Sequence, residues 1–383
     1  MRTQGAGSSA PRIAIAHDYL TQRGGAERVV LALAKGFPDA PIYTTLYDAD
    51  GTFPEFRDLD VRPSRLNRVG PLRKDHRKAL PLLPAAASSI SVNADVVIAS
   101  SSGWAHGFGG SHKTLVYCYS PARWLYQPDV YLSGNAGRLQ RAGLKALSGP
   151  LRRWDRRAAS RADRYLAIST IVQERIRATY DIESAILPAP LSDRLRAVAA
   201  EPLDEPVVRD GGYLLCVSRL LPYKNVDKVT RAFVQLPDHR LVVVGRGPEW
   251  DALRRDAPDN VTFLRDLTDG QMRTVYERSR GLVAASHEDY GLTPLEAALF
   301  GKPSVVLAAG GFLDTMEDGV TSVFFDSPTP GSIAGGVRRL LDSVWDERAV
   351  SAHASRFTES AFVARLRDEV ASLIDPQLQQ EEQ

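Results

Sequence analysis

The sequence predicts two α/β domains, each a doubly wound parallel sheet, and three observations carry that reading. Short apolar runs alternate with longer amphipathic segments. The alternation pauses near Pro190 and restarts near Tyr213. The two halves carry opposite charge. Continuous apolar strands between helices belong to parallel sheets covered on both faces. At 383 residues the chain is long enough for two domains of ordinary size.

In the first half the strands fall at 13–16, 95–100, 114–119, 164–168 and 185–187, with a helix over 27–35 behind the Gly24-Gly25 turn. In the second half the strands fall at 213–218, 240–245, 261–264, 282–286 and 304–308. The helices between them run over 225–236, 249–256, 269–279 and 294–300. Pro202, Pro206, Gly211 and Gly212 mark 191–212 as a linker. The expected organisation is a Rossmann-like domain over 1–190, the linker, and a second Rossmann-like domain over 213–355. Residues 356–383 form a helix that crosses back onto the first domain, then a polar tail.

Composition narrows the function classes. With 44% hydrophobic and 25% charged residues, the chain is globular rather than disordered. Cys118 and Cys216 sit in apolar strands and read as reduced core thiols, which suits the cytoplasm. Neither a signal-peptide core nor a membrane-length apolar run is found. Residues 1–190 carry 26 Lys and Arg against 16 Asp and Glu, and the remainder 22 against 30. The basic half suits an anionic partner, such as a phosphorylated acceptor or a phospholipid surface. Nucleic acid is disfavoured, because no recognition motif accompanies the charge. Two stretches concentrate the cations: Arg62 to Lys78, and Arg138 to Arg164 with Leu139, Leu144, Leu147, Leu151 and Trp154 interleaved. They read either as solvated helix faces or as a peripheral contact with the inner face of the cell membrane.

Four motifs sit at strand ends. Gly24-Gly25-Ala26-Glu27-Arg28 follows the first strand, where bare backbone amides at a helix start favour an anion. It lacks the G-x-G-x-x-G spacing of dinucleotide cofactors. Arg219 and Lys224 follow the strand at 213–218 and are placed to neutralise a diphosphate. Gly245-Arg246-Gly247-Pro248 makes a tight turn after the next strand. Glu288 and Glu296 bracket a helix start at Pro294, and the amides of Gly291, Leu292 and Thr293 open towards a ligand there. Each motif alone also has a plain structural reading, a turn, a surface cation or a helix-start carboxylate.

In this order, and followed by Gly301-Lys302-Pro303 and Gly310-Gly311, the motifs resemble those of retaining glycosyltransferases of family 4, with the GT-B fold. The resemblance spans roughly residues 12–370. The run Tyr117-Cys-Tyr119-Ser-Pro-Ala-Arg123-Trp-Leu-Tyr126 is similar to the branch that includes O-antigen mannosyltransferases. The resemblance implies two domains facing across a cleft. It implies a nucleoside-diphosphate sugar as donor, GDP-mannose among the candidates, and a hydroxyl acceptor that is saccharide, lipid-linked or a natural product.

By the same resemblance, Arg219 and Lys224 hold the diphosphate and Glu288 meets the transferred sugar. Glu296 meets the ribose, and the backbone at Gly291, Leu292 and Thr293 meets sugar or phosphate. Gly245 and Gly247 line the donor, and Arg265 lies where the base is read. Gly24 and Gly25 form the loop where donor phosphate and acceptor meet. Glu27, Arg28, His106 and Arg123 face the acceptor. Neither cofactor nor metal is implied, and no His cluster is present. One position departs from the family pattern. Tyr119 stands where a histidine near the donor sugar is common, so a His-dependent step is in doubt, and His106 is the substitute from a nearby loop. Tyr119 also fits a different or deoxy sugar, or reduced activity. A sugar-nucleotide epimerase or phosphorylase of this architecture, and a catalytically silent binding subunit, remain alternative readings.

Overall fold

The computed structural model describes residues 11–127 and 138–375, with side chains except those of Arg77 and residues 138–146. Two compact units divide after Pro188 and after Ala361, so the C-terminal segment from Phe362 joins the first unit.

The first unit is built on seven parallel strands: β1 (Ile13–His17), β2 (Ile42–Thr44), β3 (Val61–Pro63), β4 (Val96–Ser101), β5 (Lys113–Cys118), β6 (Arg164–Ala167) and β7 (Ala185–Ile186). Their order is β3-β2-β1-β4-β5-β6-β7. The second has six parallel strands: β8 (Tyr213–Val217), β9 (Leu241–Val244), β10 (Val261–Leu264), β11 (Ser279–Ala284), β12 (Ser304–Leu307) and β13 (Ser322–Phe325). Their order is β10-β9-β8-β11-β12-β13. Each sheet reverses its strand order once, between β1 and β4 and between β8 and β11. Such switch points open a crevice at the carboxyl ends of the strands, where ligands of α/β sheets bind. The two units therefore have the two-domain α/β architecture the sequence predicts, one parallel sheet in each.

Strands β2, β3 and β13 are additions to the sequence reading. The first two are three residues long, and β3 includes a proline at the sheet edge. The segment 191–212, expected as a linker, is instead folded into the second unit. It contains helices Arg194–Ala197 and Pro206–Asp210, and Leu195, Val207 and Val208 join the core of Tyr213, Leu215 and Tyr276. Arg273 donates to Arg196 O (2.9 Å) and Val198 O (2.7 Å), and Thr274 Oγ1 donates to Glu201 O (2.6 Å), which straps this segment to helix Asp269–Arg278. That helix begins with a reciprocal cap between Thr268 and Gln271.

Helix Glu359–Ile374 buries Phe362, Leu366 and Val370. Phe362 meets Tyr117 edge-on at 5.2 Å, Arg367 donates to Gly36 O (2.6 Å), and Glu369 pairs with Arg164. A buried aromatic face and two polar contacts fix this helix on the first unit. Helix Arg138–Ala159 carries the second basic stretch, and Leu139 and Leu144 lie outside the residues with described side chains.

Candidate functional site

In the second unit the switch point gathers the charged residues. Val217 ends β8, and the chain passes through Ser218 and exposed Arg219 to the turn Pro222–Lys224. Lys224 Nζ forms an ion pair with Glu288 Oε1, which also accepts from Ser286 Oγ. Arg219 Nη2 donates to Tyr223 OH at 3.1 Å, and Lys224 Nζ lies 4.9 Å from the centre of the Tyr223 ring. Tyr223 thus connects the two cations. Asn225 takes a left-handed backbone (φ 55°) and donates from Nδ2 to Ala285 O at 2.9 Å, tying this turn to the residue after β11. Arg219 and Lys224 on one loop and Glu288, 64 residues beyond Lys224, form one polar group at the ends of two adjacent strands.

The glycines beside this group have steric causes. A Cβ on Gly245 would lie 2.0 Å from Ser218 O, and one on Gly310 would lie 2.2 Å from Glu288 O. Gly310 also has φ 61°, and Gly311 N donates to Glu288 O at 2.9 Å. Close backbone approach therefore holds both the Arg219 loop and the Glu288 loop. A Cβ on Gly247 would come within 2.3 Å of Leu220 O, so this glycine has the same use.

Gly291 begins helix Leu292–Leu299 with φ 98°, and Leu292 and Thr293 are half-buried in its first turn. Glu296 Oε2 accepts from the buried Tyr276 OH at 2.9 Å. Burial, then the Glu296 charge, push the Tyr276 hydroxyl well above its ordinary pKa, so it stays a donor. Arg265 follows β10, lies exposed over the Trp250 ring at 4.6 Å, and faces Asp266.

The first unit treats its switch point differently. His17 Nδ1 lies 3.0 Å from Ser100 Oγ, and Ser100 Oγ lies 2.8 Å from Tyr119 OH. Tyr119 OH also donates to Ala26 O at 3.3 Å, in the glycine loop. Tyr119 is therefore tied to the loop behind Gly24 and Gly25, and burial pushes its hydroxyl well above the ordinary range. Asp18 is buried and accepts from the backbone N–H of Trp104 (2.9 Å) and Ala105 (2.7 Å) as well as from Ser101 Oγ (3.2 Å). It fixes the loop after β4. His17 and Asp18 were not singled out in the sequence, although they end the first strand at the predicted crevice.

The residues expected to face the acceptor are scattered. Glu27 is buried under the glycine loop. The Arg28 guanidinium lies over the Phe53 ring at 4.4 Å. Arg123 opens helix Arg123–Tyr126, and its charge, second to burial, draws the nearby Arg175 below its ordinary pKa. His106 corrects the expectation most clearly. Its side chain is 3% exposed, with Nε2 3.1 Å from Asp155 Oδ1 but off the line of a well-aligned hydrogen bond. Asp155 Oδ2 accepts from Tyr126 OH (2.8 Å) and Tyr180 OH (2.9 Å). A buried carboxylate requires such partners, and His106 is enclosed beside it rather than open to solvent.

Both cysteines are buried, and burial pushes the Cys216 thiol up to about 12, so neither suits nucleophilic work. Among the described residues no cluster of His, Cys, Asp and Glu could hold a metal ion, and no helix is long and apolar enough to cross a membrane.

Two family models match the chain. Glycosyltransferase Family 4 covers residues 23–188, and Glycosyl transferases group 1 covers residues 203–358. The D-inositol 3-phosphate glycosyltransferase of Mycolicibacterium smegmatis is 32% identical over 181 residues, 43% of this chain and 40% of that protein. The GDP-mannose-dependent alpha-(1-6)-phosphatidylinositol monomannoside mannosyltransferase of the same organism is 33% identical over 156 residues, 36% of this chain and 39% of that protein. The matched regions thus span about two fifths of these relatives. Among solved structures, Alr3699/HepE from Anabaena in complex with UDP-glucose has a TM-score of 0.66 and 18% identity, covering 94% of this chain and 100% of that one. Sucrose-phosphate synthase from Thermosynechococcus elongatus has a TM-score of 0.68 and 16% identity, covering 95% and 99%. Identity this low speaks for the fold alone. With one family domain over most of each unit, the chain belongs to the glycosyltransferases of the GT-B, family 4 type.

Proposed function

We propose that this protein is a retaining, metal-independent glycosyltransferase that moves a sugar from a nucleoside-diphosphate donor to an acceptor hydroxyl. The observation that carries the reading is the group of Arg219, Tyr223, Lys224 and Glu288 at the β8/β11 switch point. As the glycosidic bond breaks, negative charge gathers on the departing phosphate and positive charge on the anomeric carbon. Arg219 and Lys224 answer the first, and the Glu288 carboxylate beside Lys224 answers the second. The departing phosphate oxygen takes the acceptor proton on the same face of the sugar. Glu296, pinned by Tyr276, binds the ribose. Arg265 stacked on Trp250 borders the base.

The mannosyltransferase named above supports GDP-mannose as donor. The inositol phosphate named for the other relative supports an acceptor that carries phosphate, which the basic first half would attract. Exposed Arg65, Arg68, Lys74 and Lys78 share the stretch 65–82 with Val69, 45% exposed, and Leu82, 47% exposed, which favours work at an anionic membrane surface on the cytoplasmic side. Sedimentation with anionic but not neutral vesicles, weakening as salt rises, is the expected outcome. Equal binding to both kinds of vesicle removes the membrane from the proposal.

The central experiment has two steps. A thermal-shift screen of UDP, GDP, ADP and dTDP sugars finds the donor, since bound nucleotide stabilises by ~2.7 kcal/mol at a hundredfold excess over Kd. Donor turnover is then followed with and without acceptors. Nucleoside diphosphate released only with acceptor supports transfer. Isomerised donor without acceptor favours an epimerase. Binding without turnover favours a silent subunit.

A further inference from the structure

Three neighbouring strands of the first unit end in one row of polar side chains. His17 closes β1, Ser100 lies one residue before the end of β4, and Tyr119 follows β5. His17 and Ser100 are buried partners across β1 and β4, and Tyr119 N donates to Ser101 O at 3.0 Å. His17 Nδ1 lies 3.1 Å from Ser100 O and 3.0 Å from Ser100 Oγ. Ser100 Oγ lies 2.8 Å from Tyr119 OH, which lies 3.3 Å from Ala26 O.

The two ends of this row set the place of every proton in it. A carbonyl oxygen only accepts. Ser100 O therefore requires a proton on His17 Nδ1, and Ala26 O requires the one proton of the Tyr119 hydroxyl. With that proton used, Tyr119 accepts from Ser100 Oγ, and Ser100 in turn accepts from His17. The opposite order would set lone pairs against each other at both ends. A chain of hydrogen bonds that ends on an amide carbonyl passes no proton onward. Burial also holds the Tyr119 hydroxyl well above its ordinary pKa, so it stays protonated. Tyr119 is therefore neither base nor acid for a substrate hydroxyl. What the row holds is Ala26, in the first turn of helix Gly25–Gly36. The first N–H groups of a helix have no partner within it, and their direction follows from that turn.

We propose that Tyr119 is a positioning residue which, supported by Ser100 and His17, fixes the first turn of helix Gly25–Gly36 so that the Gly24-Gly25 loop meets substrate in one orientation. The link to turnover rests on the transfer reading above, whereas the proton order and the tether do not.

Two measurements without substrate test the tether. In the full chain labelled with 15N-histidine, His17 Nδ1 should carry a proton, and a bare Nδ1 overturns the proposal. In the chain labelled with 15N-glycine, Ser100→Ala should shift the Gly24 and Gly25 amide signals in the same direction as Tyr119→Phe, although Ser100 is a strand residue outside the loop. Signals unmoved in either variant overturn the proposal. With substrate, Tyr119→Phe should lower kcat/KM ~3- to 10-fold, the size of one lost neutral hydrogen bond, and leave the shape of the pH profile unchanged. His17→Asn places a side-chain N–H where Nδ1–H stood and should keep near-natural activity, while His17→Leu should match Tyr119→Phe. Circular dichroism confirms the fold of each variant. A loss beyond roughly a hundredfold in Tyr119→Phe, with one limb of the pH profile gone, would make Tyr119 an acid or base and overturn the proposal. If the natural chain turns over no donor, the transfer reading fails, and the two labelling results still decide the tether.

Discussion

At the end of β8 the chain displays Arg219 to solvent and sets Lys224 against a half-buried Glu288. At the end of β1, by contrast, His17 and Asp18 are buried, Glu27 lies beneath its own loop, and Tyr119 is spent on Ser100 and Ala26. Both sheets reverse at this point and both offer the same crevice. One unit presents charge, and the other encloses it and satisfies most of it internally. Shared topology therefore does not dictate a shared use. Exposed Arg219, and Lys224 held by a single carboxylate contact, can change partner when a phosphate arrives. An enclosed carboxylate with fixed donors cannot, and it acts on shape.

Removing an enclosed charge from the first unit should have the largest effect. Asp155→Ala strips His106, Tyr126 and Tyr180 of their common partner and should cost about 3–5 kcal/mol of stability by urea unfolding. If stability is unchanged, the first unit's polar groups are not structural and the contrast collapses. Next comes Glu288→Gln, which keeps shape and removes the charge beside Lys224. Turnover should fall ~10²–10³-fold with donor affinity little changed. Glu296→Gln should instead raise the donor KM, since its anchor to Tyr276 marks it as a binding group. Near-normal turnover for Glu288→Gln removes Glu288 from the chemistry. Circular dichroism on each variant separates lost function from lost fold.

A smaller effect is expected at the cations. Arg219→Ala and Lys224→Ala should each weaken nucleoside-diphosphate binding by ~1.5–3 kcal/mol in calorimetry. Lys224→Ala should do so with a second consequence, because it leaves Glu288 without its ion pair. A loss confined to Lys224→Ala would locate the diphosphate on the Glu288 side. Unchanged affinity in both variants would remove the second unit's distinctive role.

The strands flanking both switch points were legible in the sequence because each is a run of at least four residues, mostly apolar, between helical segments. Strands β2 and β3 were not, because three residues show no period and β3 carries charged Arg62 and Pro63. The linker was misread for a related reason. Its prolines and glycines are real turn signals, but Leu195, Val207 and Val208 reveal their burial only once Tyr276 is packed against them. Arg219, Lys224 and Glu288 stood out because charge beside a strand end is visible in one dimension. Tyr223, Asn225 and Ser286 did not, since their use depends on the pairing of β8 with β11. His106 was misjudged because its partner Asp155 lies on a distant helix.

The smallest effect has a sign that tests the enclosed charge directly. Burial raises the Glu27 pKa above its ordinary 4.5, outweighing His17, the Gln22 amide and the backbone N–H groups that act the other way. The folded state therefore holds the Glu27 proton more tightly than the unfolded chain does. As pH rises above about 4.5, the unfolded state ionises first, and stability is lost until the folded group ionises too. Glu27→Gln has no proton to lose. Its stability relative to the natural chain should thus improve between acid and neutral pH, whatever its fixed offset from exchanging oxygen for nitrogen. Urea unfolding of both proteins at about pH 4 and about pH 7 reads that difference. Parallel slopes would mean that the amides beneath Gly24 compensate the burial fully. A reversed slope would mean that ionised Glu27 stabilises the loop, and the first unit would then hold its charge at a gain rather than at a cost.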